Sequence, residues 1–267
     1  MKIDTHTHSK WSFDGEKSVE QMMQAAAAAG ISVLAVTDHA EIDCFAEHNL
    51  SVSIFGAQTD IAACQMHAPV SLLRGIEIGQ PLSNRQHTDL LLSAHPYDMV
   101  IGSIHTVTGY SDFYFLDYEN MDDDALAALL FQYYDELLLL AQWNRFDTLA
   151  HPIYPYRYFD ITKRGETCAP NRFDAAMEQV CRTLIQNEKA LELNTATFSR
   201  GGEELSLYER YLSMYRDCGG RLITIGSDAH RTADVGRYFD EAKKMLKSIG
   251  FSSAAYFKNR MPVLVSL

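Results

Sequence analysis

Histidines and carboxylates recur in this sequence where short apolar runs end. The runs read IDTHTH (3–8), VLAVTDH (33–39), LLRGIEIG (72–79), MVIGSIH (99–105), FDTLAHP (146–152), ALELNT (190–195) and LITIGSDAH (222–230). One histidine after a strand carries little information, but strand ends that together deliver six histidines and several carboxylates predict a single site. Neutral imidazoles suit zinc, iron and manganese far better than calcium. The chemistry that this pattern favours is hydrolysis assisted by several metal ions.

The first motifs each have a structural alternative. His6 and His8 fall on the same face of a strand and can bind one metal, although an isolated pair of this kind is as readily structural. Asp38 and His39 could equally begin a turn beside a satisfied imidazole. Glu77 lies within the apolar context GIEIG, where a carboxylate is costly to bury unless it pairs or coordinates. A metal ligand is therefore the better interpretation of Glu77.

The later strand ends repeat the pattern. His105 ends GSIH and His151 lies in AHP, while Asp228 and His230 share one face in GSDAH. The structural alternatives would require a separate buried partner on each strand, so the joint interpretation as metal ligands is favoured. With Asp14 from the first loop, the candidate ligands are His6, His8, Asp14, His39, Glu77, His105, His151, Asp228 and His230.

Helical segments separate these strands and determine how the strands pair. Ser18 and Gln21 form a capping box before VEQMMQAAAAA, and Gly30 ends that helix. Later helical segments are SNRQHTDLLLSAH, DDDALAALLFQYYDELLLLAQWN, FDAAMEQVCRTLIQN, SLYERYLSMYRD and DEAKKMLKSIG, whereas residues 40–70 are hard to interpret. The alternation implies an α/β fold with parallel strands and right-handed crossovers. An open sheet would spread the strand ends along a line, so their convergence predicts a barrel of about seven units.

Length and composition fit one such barrel. The 267 residues, 47% of them hydrophobic, predict a single domain over 1–267, with 251–267 as a C-terminal extension and possible last strand. The longest apolar stretches are far shorter than the roughly 20 residues that a membrane span needs. Five cysteines without a CxxC pair argue against a disulfide framework. We therefore expect a soluble, cytoplasmic protein without a membrane partner.

The charge restricts the partners. A formal net charge of −12 disfavours binding to nucleic acid, although bound divalent ions would leave the site itself attractive to a small anion such as a phosphate monoester. Asp122, Asp123 and Asp124 are expected to complement a helix N-terminus. His48, His67, His87 and His95 lie outside the strand ends and are expected to be surface or packing residues.

The series HTH, TDH, GIE, GSIH, AHP and SDAH, in this order over nearly the whole chain, resembles the polymerase-and-histidinol-phosphatase (PHP) superfamily. The resemblance implies a distorted, TIM-like (β/α)7 barrel with its metal site at the C-terminal ends of the strands, and two or three divalent ions, Zn, Fe or Mn. It implies one metal held by His6, His8, Glu77 and Asp228, a second by Glu77, His105 and His151, and a third by Asp14, His39 and His230. Many members have histidine where this chain has Asp14.

Within the superfamily, TDHAE, HPIYPYRYF and the run from LELNT to SDAH most resemble monofunctional histidinol-phosphate phosphatases. The resemblance implies hydrolysis of L-histidinol phosphate to histidinol and phosphate in histidine biosynthesis. Arg157 corresponds to one phosphate-binding arginine of that group. The group's other arginine lies in NTSGLRKG, where Ser199 occupies its position here and Arg200 follows one place later. Substrate binding is therefore expected from Arg157 and Arg200.

The expected mechanism uses no side-chain nucleophile. Several metal ions would clamp the phosphate and lower the pKa of a bridging water, so that hydroxide attacks phosphorus directly. Arg157 and Arg200 would add charge-assisted hydrogen bonds to the phosphate. Asp228, His230 or a metal-bound water would supply a proton to the leaving alkoxide, and the sequence does not choose among them.

Three other functions remain open. One is a PHP phosphoesterase that acts on a phosphotyrosyl protein or a nucleotide with the same ligands. Another is a metal-binding regulatory domain without activity, although the complete ligand set argues against it. An amidohydrolase also begins with HxH on a barrel strand, but it would leave TDH and GIE unexplained, and no lysine in this sequence is an obvious bridging ligand.

Overall fold

A nearly closed parallel sheet forms the centre of the fold. The computed structural model describes all residues from 1 to 267. Seven strands neighbour one another in the order β1 (Lys2–Asp4), β2 (Ile31–Val36), β4 (Ser71–Gly79), β5 (Met99–Ser103), β6 (Thr148–Leu149), β7 (Ala190–Asn194) and β8 (Ile223–Gly226). A short strand, β3 (His39–Glu41), also pairs with β4, and all of these pairings are parallel.

The first and last strands of this sheet meet and bring the sheet close to a barrel. The Thr5 amide donates to the Ile225 carbonyl at 2.9 Å, and Thr7 forms a parallel bridge with Ala229. Beyond them, the Asp228 amide donates to the His6 carbonyl at 2.8 Å. The seven-unit barrel predicted from the alternation of strands and helices is therefore confirmed, and its strands all run in one direction toward one mouth.

Seven α-helices connect the strands. They are α1 (Val19–Ala28), α2 (Leu50–Gln65), α3 (Arg85–Ala94), α4 (Asp123–Trp143), α5 (Asp174–Gln186), α6 (Gly202–Asp217) and α7 (Phe239–Ile249). The capping box of Ser18 and Gln21 is present at the start of α1, and Asp122 caps α4 by accepting from the Ala125 amide, as predicted. The stretch 40–70 contains most of β3 and all of α2. No helix combines the length and the apolar character that a membrane crossing requires.

The chain ends in a β-hairpin rather than in the single last strand that we predicted. Strand β9 (Ser253–Lys258) pairs antiparallel with β10 (Met261–Ser266), and Phe257 and Val265 join the main hydrophobic core. Asn259 and Arg260 form the turn with φ of 51° and 64°, the left-handed pair that a two-residue hairpin needs. The usual Asn-Gly signal of such a turn is absent here, so the sequence did not indicate the hairpin.

Candidate metal centre

The barrel mouth gathers the predicted ligands. Eight of the nine form compact overlapping groups of potential donor atoms: His8 with His39 and His230, His6 with Glu77 and His151, His6 with His8 and Asp228, and His39 with Glu77 and His105. The ninth, Asp14, places an Oδ atom 3.1 Å from Nε2 of His230. Residues from six different strand ends and one loop therefore lie in one place, as the convergence of parallel strands requires.

Glu77 lies at the middle of these groups and is fully buried. Its Oε2 is 3.1 Å from His6 Nε2 and 3.1 Å from His39 Nδ1. Its Oε1 is 3.1 Å from His151 Nε2 and 3.3 Å from His105 Nε2. Burial opposes ionisation, but the surrounding imidazoles, His6 foremost, hold the pKa of the Glu77 carboxyl well below its ordinary value. Each oxygen of this carboxylate therefore faces a different pair of histidines.

Asp228 adds a second carboxylate beside His8. Its Oδ1 is 3.3 Å from His8 Nε2, and its Oδ2 accepts from Asn194 Nδ2 at 3.0 Å. Burial again opposes ionisation, yet His6 and His8 hold the pKa of Asp228 well below its ordinary value. The backbone of Asp228 is left-handed, with φ of 54°, a conformation that is costly for a residue with a side chain and that clusters at functional sites.

Several imidazole nitrogens at this centre lack a hydrogen bond. His8 Nε2, His39 Nδ1 and His230 Nε2 are buried and unsatisfied, although each lies within 3.3 Å of a carboxylate oxygen. Burial and the charges of His230 and His39 lower the pKa of His8 to about 3, so its ring is neutral at pH 7. Buried unsatisfied nitrogens are rare in folded proteins. Neutral imidazoles with interspersed carboxylates fit a zinc, iron or manganese site.

A second layer of carboxylates, which was not predicted from the sequence, supports the histidines. Glu192, on β7, is fully buried, and its Oε1 lies 2.6 Å from His6 Nδ1. Its Oε2 accepts from the His151 amide at 3.0 Å. A Cβ at Gly226 would lie 2.3 Å from the His6 Cβ and 2.6 Å from Glu192 Oε1, so this pair fits only beside a glycine. The signal was available, because ALELNT places a carboxylate in an apolar strand just as GIEIG does.

Glu41 and Asp38 belong to the same layer. Glu41 Oε1 lies 3.0 Å from His105 Nδ1, and His105 lowers the pKa of Glu41 to about 2 against the opposing effect of burial. Asp38 accepts from the Ser12 hydroxyl at 2.9 Å, and the Ser12 oxygen lies 3.1 Å from His8 Nδ1. Hydrogen bonds of this kind fix the ring orientation and the tautomer of metal-binding histidines.

A cavity of about 360 Å³ opens above the donor groups. Its walls add seven side chains to the donors: Phe13, Asp112, Tyr114, Phe115, Tyr154, Arg157 and Tyr158. Of Tyr110, Phe113, Tyr154 and Tyr156, only Tyr154 lines this wall; Phe113 and Tyr156 are buried in the core, and Tyr110 lies outside. Tyr114, Phe115 and Tyr158 occupy the wall instead.

The two predicted phosphate-binding arginines are placed differently. Arg157 stacks on the Tyr154 ring at 4.9 Å and lies 3.5 Å from Asp228 Oδ2, so it lines the cavity beside the donors. Arg200 lies in an adjoining depression that Arg157 also borders, and it pairs with Glu204 at 3.3 Å. The structure therefore brings Arg157, but not Arg200, to the candidate metal centre.

The four remaining histidines take no part in the donor groups. His67 Nε2 lies 2.9 Å from Glu20, and His48 packs against the Phe13 ring at 4.7 Å. His87 lies against Phe45 at 5.4 Å and His95 against Tyr97 at 5.9 Å. These are the surface and packing roles that the sequence predicted.

The fold and the donor groups together define a class: β/α-barrel proteins that can hold several metal ions at the C-terminal ends of their strands. Comparison with protein families narrows that class. Residues 4–196 match the PHP domain, and the chain belongs to the PHP domain family. The family membership predicted from the motif series is therefore confirmed.

Relatives and solved structures resemble this chain over nearly its whole length. A Thermotoga maritima protein named probable histidinol-phosphatase is 31% identical, over 95% of this chain and 94% of the relative. A Lactococcus lactis histidinol-phosphatase is 24% identical, over 96% of this chain and 94% of the relative. The crystal structure of the Lactococcus lactis histidinol phosphate phosphatase with zinc, L-histidinol and phosphate superimposes with a TM-score of 0.76 at 23% identity, covering 98% of both chains.

Proposed function

We propose that this protein is a metal-dependent phosphomonoesterase that hydrolyses L-histidinol phosphate to L-histidinol and phosphate in histidine biosynthesis. The observation that carries the proposal is the convergence of nine potential metal ligands at the barrel mouth, where six of them and Arg157 line one cavity. The full-length similarity to the Thermotoga maritima protein named probable histidinol-phosphatase supports the substrate. The partner is then a small phosphate monoester.

The metal assignment follows the donor groups. His6, His8, Glu77 and Asp228 would hold one ion, Glu77, His105 and His151 a second, and Asp14, His39 and His230 a third. Zinc, iron and manganese all suit these donors, and the zinc in the similar Lactococcus lactis structure supports zinc. Such ions neutralise charge on phosphate oxygens and lower the pKa of bound water toward 7. Because Glu77 presents one oxygen to each of two histidine pairs, we assign it the role of bridging carboxylate.

The chain's own residues position the phosphate and handle the proton. Arg157 presents a planar guanidinium, already oriented by the Tyr154 ring, for charge-assisted hydrogen bonds to phosphate oxygens. The leaving alkoxide needs a proton, and both Asp228 and His230 line the cavity. We assign His230 to supply it, because His6 and His8 hold the pKa of Asp228 well below its ordinary value, whereas Asp14 raises the pKa of His230 against the opposing effect of burial. Phosphate binding by Arg200 stays a prediction, and it requires the loop after β7, which borders the adjoining depression, to close over the cavity. The five free cysteines agree with a cytoplasmic location.

A phosphate-release assay on the metal-loaded protein tests this function. The substrates are L-histidinol phosphate, a phosphotyrosyl peptide, nucleoside monophosphates and 4-nitrophenyl phosphate, and elemental analysis gives the metal content of the same sample. We expect kcat/KM to be highest for L-histidinol phosphate. Strong turnover of another ester without turnover of L-histidinol phosphate would reject the substrate but keep the phosphoesterase. Hydrolysis of none of them by fully metal-loaded protein would favour a regulatory domain.

A further inference from the structure

A carboxylate without a counter-ion lies in the wall of the cavity. Asp112 follows β5 in a loop, and its Oδ1 accepts from the Tyr114 amide at 2.7 Å. No lysine, arginine or histidine forms an ion pair with Asp112. Glu77 and Asp228, which belong to the donor groups, do have such partners. Burial raises the pKa of the Asp112 carboxyl. A partly buried carboxylate of this kind is costly unless a cation from outside the chain offsets its charge.

Aromatic rings line the same cavity as this carboxylate. Tyr114 and Phe115 line the cavity yet are 67% and 74% exposed, so their rings face the mouth rather than the core. Tyr158 meets Tyr114 edge-on at 6.0 Å. Aromatic faces beside a carboxylate attract organic ammonium groups. The unpaired carboxylate and the aromatic rings of the wall therefore both indicate an organic ammonium group as the ligand.

The position of Asp112 is fixed by its neighbour. Phe113 is fully buried in the core, and its amide donates to the His105 carbonyl at 3.0 Å. Asp112 is thus tied, through one residue, to a strand end of the candidate metal centre. A loop that is anchored in this way presents its carboxylate at a fixed distance from the phosphate-binding floor.

We propose that Asp112 is the specificity-determining residue that binds the ammonium group of the substrate, with Tyr114 and Phe115 beside the organic portion. This inference rests on the proposed function and names the substrate class: a phosphate monoester that carries a primary amine. The cavity is then lined by groups of both signs, with Arg157 beside the candidate metal centre for the phosphate and Asp112 for the ammonium. A primary amine is cationic at neutral pH, whereas an imidazole is largely neutral.

The test is a charge-removing substitution measured on a matched pair of substrates. Asp112→Asn keeps an oxygen for the Tyr114 amide and removes only the charge. The pair is L-histidinol phosphate and imidazolylpropyl phosphate, which lacks the amine. We expect Asp112→Asn to lower kcat/KM by about 10- to 100-fold on the first substrate and by less than about twofold on the second, since a hydrogen bond to a charged group is lost only in the first case. Asp117→Asn, in the same loop but outside the cavity, should change neither value.

The outcomes separate this inference from the proposed function. An equal fall on both substrates would assign Asp112 to loop structure, and unchanged kinetics on both would remove it from recognition; either result overturns the inference. If the wild-type protein does not hydrolyse L-histidinol phosphate, the proposed substrate fails. The inference is then tested with ethanolamine phosphate against ethyl phosphate, where a wild-type preference for the first that disappears in Asp112→Asn supports it and no preference overturns it.

Discussion

The floor and the mouth of the cavity are built in opposite ways. The donor residues beneath the cavity form its floor: Glu77, His6 and His8 are fully buried and lie at strand ends, and His6 is held from behind by Glu192. Tyr114 and Phe115 at the mouth are largely exposed and belong to a loop. Strand register fixes the floor, so its geometry can serve one chemistry in many relatives. Loops form the mouth, where substrate choice can change without disturbing that chemistry.

Removing the central carboxylate of the floor should have the largest effect. Glu77→Ala takes away the acceptor that four histidines face and leaves their nitrogens without an anionic partner. We expect phosphate release on every substrate to be abolished and the metal content, measured by elemental analysis, to fall by at least one ion per chain. Retained hydrolysis with full metal content would contradict the assignment of Glu77. Circular dichroism distinguishes loss of metal from loss of fold.

A substitution in the second layer of carboxylates, behind the floor, should have a smaller effect on activity. It should act through the metal ion that His6 would hold. For His6 Nε2 to present a lone pair, Nδ1 must carry the proton, so Glu192 accepts from two donors, His6 Nδ1 and the His151 amide. Glu192→Gln leaves one acceptor oxygen for these two donors. We expect metal affinity to fall by about 10- to 100-fold, as is typical for such outer partners.

Competition for zinc against a chromophoric chelator measures this affinity, and excess zinc should restore most of the lost activity. Glu178→Gln is the matched control, since Glu178 pairs with Arg182 on an exposed part of α5. Wild-type zinc affinity in Glu192→Gln would show that this carboxylate serves the fold alone.

Arg157 lies between the floor and the mouth, and its loss should show in phosphate binding. Arg157→Lys keeps the charge but gives up the planar fork and the stacking on Tyr154. We expect about a tenfold lower kcat/KM, expressed mainly as a higher KM, on all phosphate monoesters alike. Inorganic phosphate should inhibit this variant correspondingly less. A change confined to one substrate would move Arg157 from the phosphate to the organic portion.

The residues of the floor could be predicted from the sequence because a local sequence pattern marks each of them. Each ligand of β4, β5 and β8 follows or ends an apolar run, and parallel strands must bring such positions to one edge. Glu41 could not be predicted in this way. Its contact with His105 depends on β3 lying beside β4 in the register that sets Glu41 opposite Gly79, where a Cβ would collide with the Glu41 carboxylate. No periodicity in residues 40–70 predicts strand β3.

The mouth could not be predicted because loop residues follow no period. In the run from Tyr110 to Phe115, four of the six residues are aromatic, and composition does not tell which ring anchors the loop. The structure buries Phe113 and turns Tyr114 and Phe115 outward. The same applies to the arginines. Arg157 ends a short 3-10 helix after β6, and Arg200 follows a short 3-10 helix after β7, so the direction of each side chain depended on its loop.

Substitution of Arg200 has the smallest expected effect, and it tests whether the floor and the mouth have separate roles. Its side chain is 39% exposed and pairs with Glu204, whereas the Arg157 side chain is only 8% exposed. If Arg200 remains where it lies, Arg200→Met should change kcat/KM by less than about threefold. A loss comparable to that of Arg157→Lys, measured on the same substrates, would mean that the loop after β7 closes over the bound phosphate and that the mouth contributes to the chemistry as well as to substrate choice.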